Sequence, residues 1–324
     1  MRSYTIPHTD FSVSQIAYGC MGIGGDWSKN PPDEATQQHA ARLIEKAMAA
    51  GINLFDHADI YCRGKSEIVF GQILKQKPHL RDKIILQSKC GIRFADDPES
   101  GLPGRYDFSY EHIVQSVEAI LKRLQTDYLD LLLLHRPDPL MQPDEVAKAF
   151  DALKQAGKVR HFGVSNFNSL QIALLQKSLD MPIVVNQLEI SLLHYHLIEE
   201  GISVNQNVAG YANTGATLDY CRMNDILVQA WGPLASGQLF RLDDQSPKNL
   251  HETASLVSKL ATKKNCGADA ILLSWLLRHP AGIQPIIGTT KTERIVSSSS
   301  ANTIELSREE WYSLYVSARG QPMP

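Results

Sequence analysis

Four side chains in the first half of the chain could do chemistry together: the carboxylate of Asp56, the phenol of Tyr61, the amine of Lys89 and the imidazole of His135. Asp56 follows the apolar run Ile52–Phe55, and Tyr61 lies a few residues beyond it. Lys89 follows Ile84–Gln87, and His135 closes Leu129–Leu134, a run broken by Asp130. Each residue has an ordinary explanation on its own: Asp56 as a helix N-cap, Tyr61 as a packing aromatic, Lys89 as a solvated tail, His135 as a satisfied core histidine. Their places unite them, because three end consecutive apolar runs and the fourth lies in the loop after the first of those runs. Such a set can hold and transfer a proton. A lysine so placed could instead form a Schiff base, which needs an apolar or cationic setting to lower its pKa; Asp56 works against that.

Residues at the ends of successive strands converge only if the strands are parallel and share one mouth. Further short apolar runs follow at Val159–Val164, Ile183–Val185, Ile226–Ala230 and Pro285–Ile287, and Ile16–Tyr18 precedes them all. Runs this apolar on both faces belong to parallel sheets covered by helices. Helical spacing fills the gaps. Ser109–Leu124 repeats Ile113, Val117, Ile120, Leu121 and Leu124 behind a Ser109 N-cap. Asp144–Gln155 stops at Gly157 and Ala35–Ala50 at Gly51. Leu256–Lys264, Ala268–Arg278, Arg294–Ala301 and Arg308–Ala318 read as further helices, and Asn205–Gly215 as a long loop in the sixth unit. The eight strand–helix units predict an α/β fold, a single (β/α)₈ TIM barrel over residues 1–324 with its active site at the C-terminal ends of the strands. The rival, a Rossmann sheet, needs G-x-G-x-x-G after the first strand; Gly19-Cys20-Met21-Gly22-Ile23-Gly24-Gly25 is out of that register.

Composition narrows the partners. The 324 residues are 43% hydrophobic and 21% charged, and 32 basic against 35 acidic residues give a formal charge of −3. No footprint for nucleic acid or an anionic membrane is visible. No apolar run is long enough to span a bilayer, and the first residues have no signal-peptide core. Five scattered cysteines without a C-x-x-C pair suit a reducing cytoplasm better than disulfides or structural zinc.

Longer segments carry a resemblance. Asp56-His57-Ala58-Asp59-Ile60-Tyr61 reads D-x-A-x-x-Y, and Gly157 to Phe167 reads G-K-x-R-x-x-G-x-S-N-F. Asn186-Gln187 stands at the next strand end. Trp231 to Gly237 reads aromatic-x-P-L-x-x-G, and Ile287-Gly288-Thr289-Thr290-Lys291-Thr292-Glu293-Arg294-Ile295 closes the series. Five segments in this order, from about Ile16 to Ala301, resemble the aldo-keto reductase superfamily. With His135-Arg136-Pro137-Asp138-Pro139, the first is most similar to a bacterial branch described as oxidoreductases.

The resemblance implies a cytoplasmic, NADPH-dependent enzyme that reversibly reduces a small aldehyde or ketone, with hydride from nicotinamide C4 and a proton from Tyr61. It implies that Lys89 brings Tyr61 down from its free value of about 10 towards neutrality. Asp56 would hold Lys89 charged, and His135 would orient the carbonyl oxygen, with no metal. Ser165, Asn166 and Gln187 would hold the nicotinamide carboxamide, Trp231 would stack on the ring, and Gly19, Cys20 and Met21 would line its other side. Gly232, Pro233, Leu234, Ala235, Ser236, Gly237, Gln238 and Leu239 would wrap the pyrophosphate. Thr289 and Arg294 would meet the adenosine 2′-phosphate, which suits a guanidinium fork. Gly288 stands where many relatives carry a lysine for that phosphate, with Lys291 as the substitute. Ser298 stands in place of an adenine-binding asparagine. His57 replaces a small hydroxyl residue, Cys62 a glycine, and Trp231-Gly232 the commoner Tyr-Ser.

Other functions compete. His57 with Asp59, and His194 with His196, could be drawn as metal ligands, but read more simply as packing or surface histidines. Cys20, Cys62 and Cys90 each neighbour a site residue, which suits a nucleotide-binding, redox-sensing regulatory subunit without turnover. The intact set of four favours the enzyme.

Overall fold

The run Leu129–Leu134 shows why the chain closes on itself. In the computed structural model, which describes residues 1–203 and 215–324, Leu131 and Leu133 belong to a cluster inside the barrel. Leu132 and Leu134 pack outward with the helices. Asp130, which breaks the apolar pattern, is buried on the outer side and held by Arg81 at 2.8 Å and Arg160 at 3.2 Å. A strand apolar on both faces has to be covered on both faces. Eight of them do this by pairing in a ring: β1 (Ala17–Gly19), β2 (Leu54–Asp56), β3 (Ile85–Cys90), β4 (Leu129–Leu134), β5 (Val159–Ser165), β6 (Ile183–Glu189), β7 (Leu227–Trp231) and β8 (Gln284–Ile287). Each pairs in parallel with the next, and β8 returns to β1. Gly163 on β5 lets the ring close tightly, because a Cβ there would stand 2.5 Å from the Leu133 side chain and 2.7 Å from the Val185 carbonyl.

The end of the barrel where the strands begin is covered by a hairpin, Ser3–Thr5 against Ser12–Ser14. Ile6, Phe11 and Val13 from this hairpin cluster with Ala17, Leu54, Leu131 and Ile286. The interior is packed from that side, so the usable mouth is at the strands' C-terminal ends, as the barrel rule expects.

Most expected helices are present with shifted ends. Ser109 caps Tyr110–Leu124, accepting from the His112 amide, and Gly157 takes a left-handed φ of 70° after Pro143–Gln155. The helix expected over Leu256–Lys264 starts at Lys248, and that expected at Arg294–Ala301 spans Thr292–Ser299 before a 3₁₀ turn at Ser300–Thr303. The strand before Lys89 runs through it to Cys90. The sequence reading did not single out Lys65–Gln76, Ser169–Gln176, His196–Ile202 or Thr217–Met223. Lys65–Gln76 escapes a hydrophobic pattern because its first turn buries Lys65, Ser66 and Glu67. Residues 205–214 of the expected long loop lie outside the described residues. Among the described residues, no helix is long and apolar enough to cross a membrane.

Candidate active site

The ends of β2, β3 and β4 bring the four residues together at one mouth. Asp56 ends β2, Lys89 is the penultimate residue of β3, and His135 follows β4, its amide donating to Cys90 O at 2.9 Å. Lys89 is fully buried. Its Nζ donates to Asp56 Oδ2 at 2.8 Å, Tyr61 Oη at 2.9 Å and the His57 carbonyl at 2.9 Å. An ammonium has three donors, and here all three are directed. The Tyr61 and His135 rings meet edge to face, 6.0 Å apart at 82°.

Tyr61 is aimed by an uncommon stretch of backbone. Its amide closes a turn onto the Ala58 carbonyl. The next three residues, Cys62, Arg63 and Gly64, are left-handed, with φ of 48°, 59° and 83°. For a residue with a Cβ this costs roughly 1–2 kcal/mol. Cys62 and Arg63 are therefore strained positions here. The neighbouring loop offsets the strain. Cys62 Sγ donates to the carbonyls of Met21 and Gly25, Arg63 Nε to the Trp27 carbonyl at 2.9 Å, and Lys65 Nζ to Asp26 Oδ1 at 2.5 Å.

The electrostatics follow from burial. Burial alone would lower Lys89, but Asp56 and Tyr61 outweigh it and its pKa is raised. That opposes Schiff-base chemistry, which needs a neutral amine. Burial raises Tyr61, and it outweighs the lowering by Lys89, with Asp56 adding to the rise. The expectation that Lys89 brings Tyr61 down towards neutrality is thus corrected: desolvation penalises the phenolate more than one ammonium favours it, and the phenol keeps its proton. His135 is lowered well below its ordinary value by burial, then by Lys89 and Arg136, so its ring is neutral; among the described residues its Nδ1 has no partner. The arrangement can give a proton from Tyr61 and a hydrogen bond from His135 to one oxygen placed between them.

Around this centre the remaining segments also converge. Asn166, left-handed at φ 63°, donates to the His135 carbonyl at 3.2 Å and to Ser165 Oγ at 2.9 Å, and accepts from Trp231 Nε1 at 3.0 Å. Residues 232–239 leave β7 through left-handed Gly232, Ala235, Ser236 and Gly237. Gly19 and Cys20 are buried at the end of β1, and Met21 is exposed.

A model of the aldo/keto reductase family matches residues 15–315. The chain belongs to that family. It is 40% identical over 283 residues to the oxidoreductase YdhF of Escherichia coli (strain K12), covering 87% of this chain and 88% of the relative. It is 37% identical over 310 residues to a 6-dehydroglucose reductase of Agrobacterium fabrum, covering 95% of both. The solved structure of an aldo-keto reductase from Klebsiella pneumoniae in complex with NADPH is similar, with a TM-score of 0.75 at 25% identity over 100% of this chain and 97% of that one.

Two residues expected at the cofactor site of this aldo-keto reductase are buried with their side-chain donors engaged in the fold. Gln187 is buried, and its Nε2 donates to Asp56 Oδ1 at 3.1 Å and Gln229 Oε1 at 3.0 Å. The Ser298 hydroxyl is buried and donates to Asp269 Oδ2 at 2.8 Å. Gly288, Lys291 and Arg294 are exposed, and Thr289 is half-buried, accepting the Lys291 amide at 3.2 Å. His194 and His196 meet edge to face, 4.9 Å apart. His57 packs its ring on Phe70 with neither nitrogen partnered among the described residues, and burial pushes it down to about 3; Asp59 is pushed up to about 8, first by burial and then by Glu67.

Two cations had no assigned part in the sequence reading. Arg241 lines the cleft formed by Glu189, His194, Trp231 and Gln238, and donates to the Ser236 carbonyl. Arg136 lies 5.8 Å from the Trp231 ring. In the sequence Arg136 directly follows His135, and Arg241 stands two residues beyond the 232–239 segment.

Proposed function

We propose that this aldo-keto reductase reduces an aldehyde or ketone to the alcohol, reversibly, with NADPH, and that Tyr61 gives the proton. The observation that carries the reading is Lys89, buried, with Asp56 on one donor and the Tyr61 phenol on another. The chain's surface fits the dinucleotide. Arg294 and Lys291 stand exposed at the start of the helix Thr292–Ser299, where backbone amides and dipole both favour an anion. The left-handed turns of 232–239 place backbone close to the surface beside Arg241. Trp231, braced by Asn166, offers an indole face. We assign Ser165, Asn166 and Gln187 to the carboxamide, Gly19, Cys20 and Met21 to the far side of the ring, and 232–239 to the pyrophosphate. Gly288, Thr289, Lys291, Arg294 and Ser298 go to the adenosine end.

When bound, the dinucleotide supplies the hydride. Tyr61 supplies the proton at Oη, and neutral His135 donates a hydrogen bond to the same carbonyl oxygen. Lys89 holds the phenol in place and eases its deprotonation as the proton leaves. Asp56 keeps Lys89 charged. The regulatory reading has no such support, because burial raises the thiols of Cys20, Cys62 and Cys90, and a raised thiol is a poor sensor.

The test is oxidation of NADPH, with NADH in parallel, against a panel of aldehydes and ketones that includes sugar aldehydes. Turnover of at least one carbonyl is expected, and its absence across the panel overturns the reading. Arg294→Ala should weaken NADPH by about tenfold to a hundredfold, as losing a hydrogen bond between charged groups does. NADH, lacking the 2′-phosphate, should change little. Equal weakening of both would show that Arg294 does not read that phosphate.

A further inference from the structure

Beneath the four residues, the barrel interior holds a row of amides that no family motif explains apart from Gln187. Gln87 on β3, Gln187 on β6, Gln229 on β7 and Gln284 on β8 are all buried. Strand register sets them side by side: Asp56 is opposite Gln87, Gln187 opposite Gln229, and Gln229 opposite Gln284. Gln284 Nε2 donates to the Ser14 carbonyl at 2.7 Å, and Gln229 Nε2 donates to Gln284 Oε1 at 2.9 Å. Gln229 Oε1 accepts from both Gln87 Nε2 at 2.9 Å and Gln187 Nε2 at 3.0 Å. Those two nitrogens then spend their second proton on Asp56 Oδ1, at 2.6 Å and 3.1 Å.

The direction of the row is fixed from its far end. A backbone carbonyl can only accept, so Gln284 must present its NH₂ to Ser14 and its oxygen to Gln229. Each amide is oriented in turn, and the row ends with two NH₂ groups facing Asp56. That ending matches an ionised carboxylate, which only accepts. Asp56 is buried, and a buried carboxylate needs its lone pairs satisfied. Lys89 meets Oδ2, and among the described residues only the two glutamines donate to Oδ1. Gln187 is also claimed by the proposed carboxamide contact, and Gln87 is the nearer donor to Asp56, at 2.6 Å against 3.1 Å.

We propose that Gln87, oriented by Gln229 and Gln284, is a positioning residue for carbonyl reduction: it holds Asp56 as the anion that fixes Lys89 against Tyr61. The inference rests on the reading of Tyr61 as the proton donor. Without Gln87, Asp56 is less firmly placed against Lys89. The attraction by which Asp56 raises Lys89 weakens, and so does the repulsion by which it raises Tyr61. Both should give up their protons at lower pH, so the alkaline limb of the reduction moves down.

Gln87→Met keeps length and volume and removes the donor. It should lower kcat about tenfold, in line with one lost hydrogen bond to a charged group, and shift the alkaline limb down by about one pH unit. KM for NADPH should hold. NMR of carbon-labelled tyrosine, with Tyr61→Phe assigning the signal, reads the Tyr61 titration without turnover and should show the same downward shift. If the wild type reduces no carbonyl, the functional reading fails while this titration still decides the role of Gln87. Gln229→Met leaves both donors to Asp56 in place, should move both readouts the same way by less, and carries the test if Gln87→Met does not fold. A variant that melts earlier but keeps the wild-type limb and Tyr61 titration overturns the proposal.

Discussion

Tyr61→Phe should abolish carbonyl reduction, lowering kcat/KM by about 10²–10⁴-fold, the usual contribution of a positioned general acid. NADPH should bind nearly as before. The substitution removes one oxygen and keeps the ring, so the edge contact with His135 survives. Lys89 keeps Asp56 and the His57 carbonyl, so the buried charge stays paired. The segments assigned to the cofactor are not touched. A Tyr61 that served only to pack would tolerate phenylalanine. Absorbance of NADPH follows turnover, and quenching of Trp231 fluorescence follows binding; turnover within a few-fold of wild type removes Tyr61 from the mechanism.

Lys89→Met is the second large effect, and it should appear in both rate and stability. The Tyr61 phenol loses the cation that lowers it, and burial then raises it further. Reduction should fall by about 10²-fold or more, because the pair that shapes the proton donor acts as a unit. Asp56 is left buried beside amide donors only, and breaking a buried pair costs about 3–5 kcal/mol. Asp56→Asn should also slow the reaction, because Lys89 is then less firmly held as the ammonium. The double variant should be little slower than Lys89→Met and more stable than it, since the orphaned charge is gone. Rates against pH and thermal melts of the three proteins measure this. Rate losses that simply multiply would mean that Asp56 does not act through Lys89.

The strands and the four residues were legible because parallel strands buried on both faces leave dense apolar runs, and a polar residue at the end of such a run stands out. Leu129–Leu134 followed by His135 is the clearest case. The hairpin over the far end was not legible: its strands are three residues each and rich in serine, and Ile6, Phe11 and Val13, with Tyr4 beside them, are too few to mark it. The helix Lys65–Gln76 was hidden because Lys65 and Glu67 are buried against partners distant in sequence, Asp26 and Arg123. The direction of the Tyr61 shift needed the structure, since proximity to Lys89 follows from motif spacing but the degree of burial does not. The amide row was invisible for a similar reason. Gln87, Gln229 and Gln284 are far apart in the chain and lie inside strands, where a glutamine reads as a flaw in an apolar run. Strand register alone joins them.

The left-handed turn after Tyr61 has a consequence for how this protein can change over time. A mouth loop is normally where a barrel enzyme varies to acquire new substrates, because its residues are exposed and little depends on them. Here Asp26 and Trp27 hold Lys65 and Arg63, and those two bound the stretch that aims the phenol. A substitution at Asp26, exposed and outwardly harmless, therefore reaches the proton donor through a few bonds. Diversification of this loop is confined to changes that keep those anchors, and new specificity is more freely gained from segments of the rim that do not brace Tyr61.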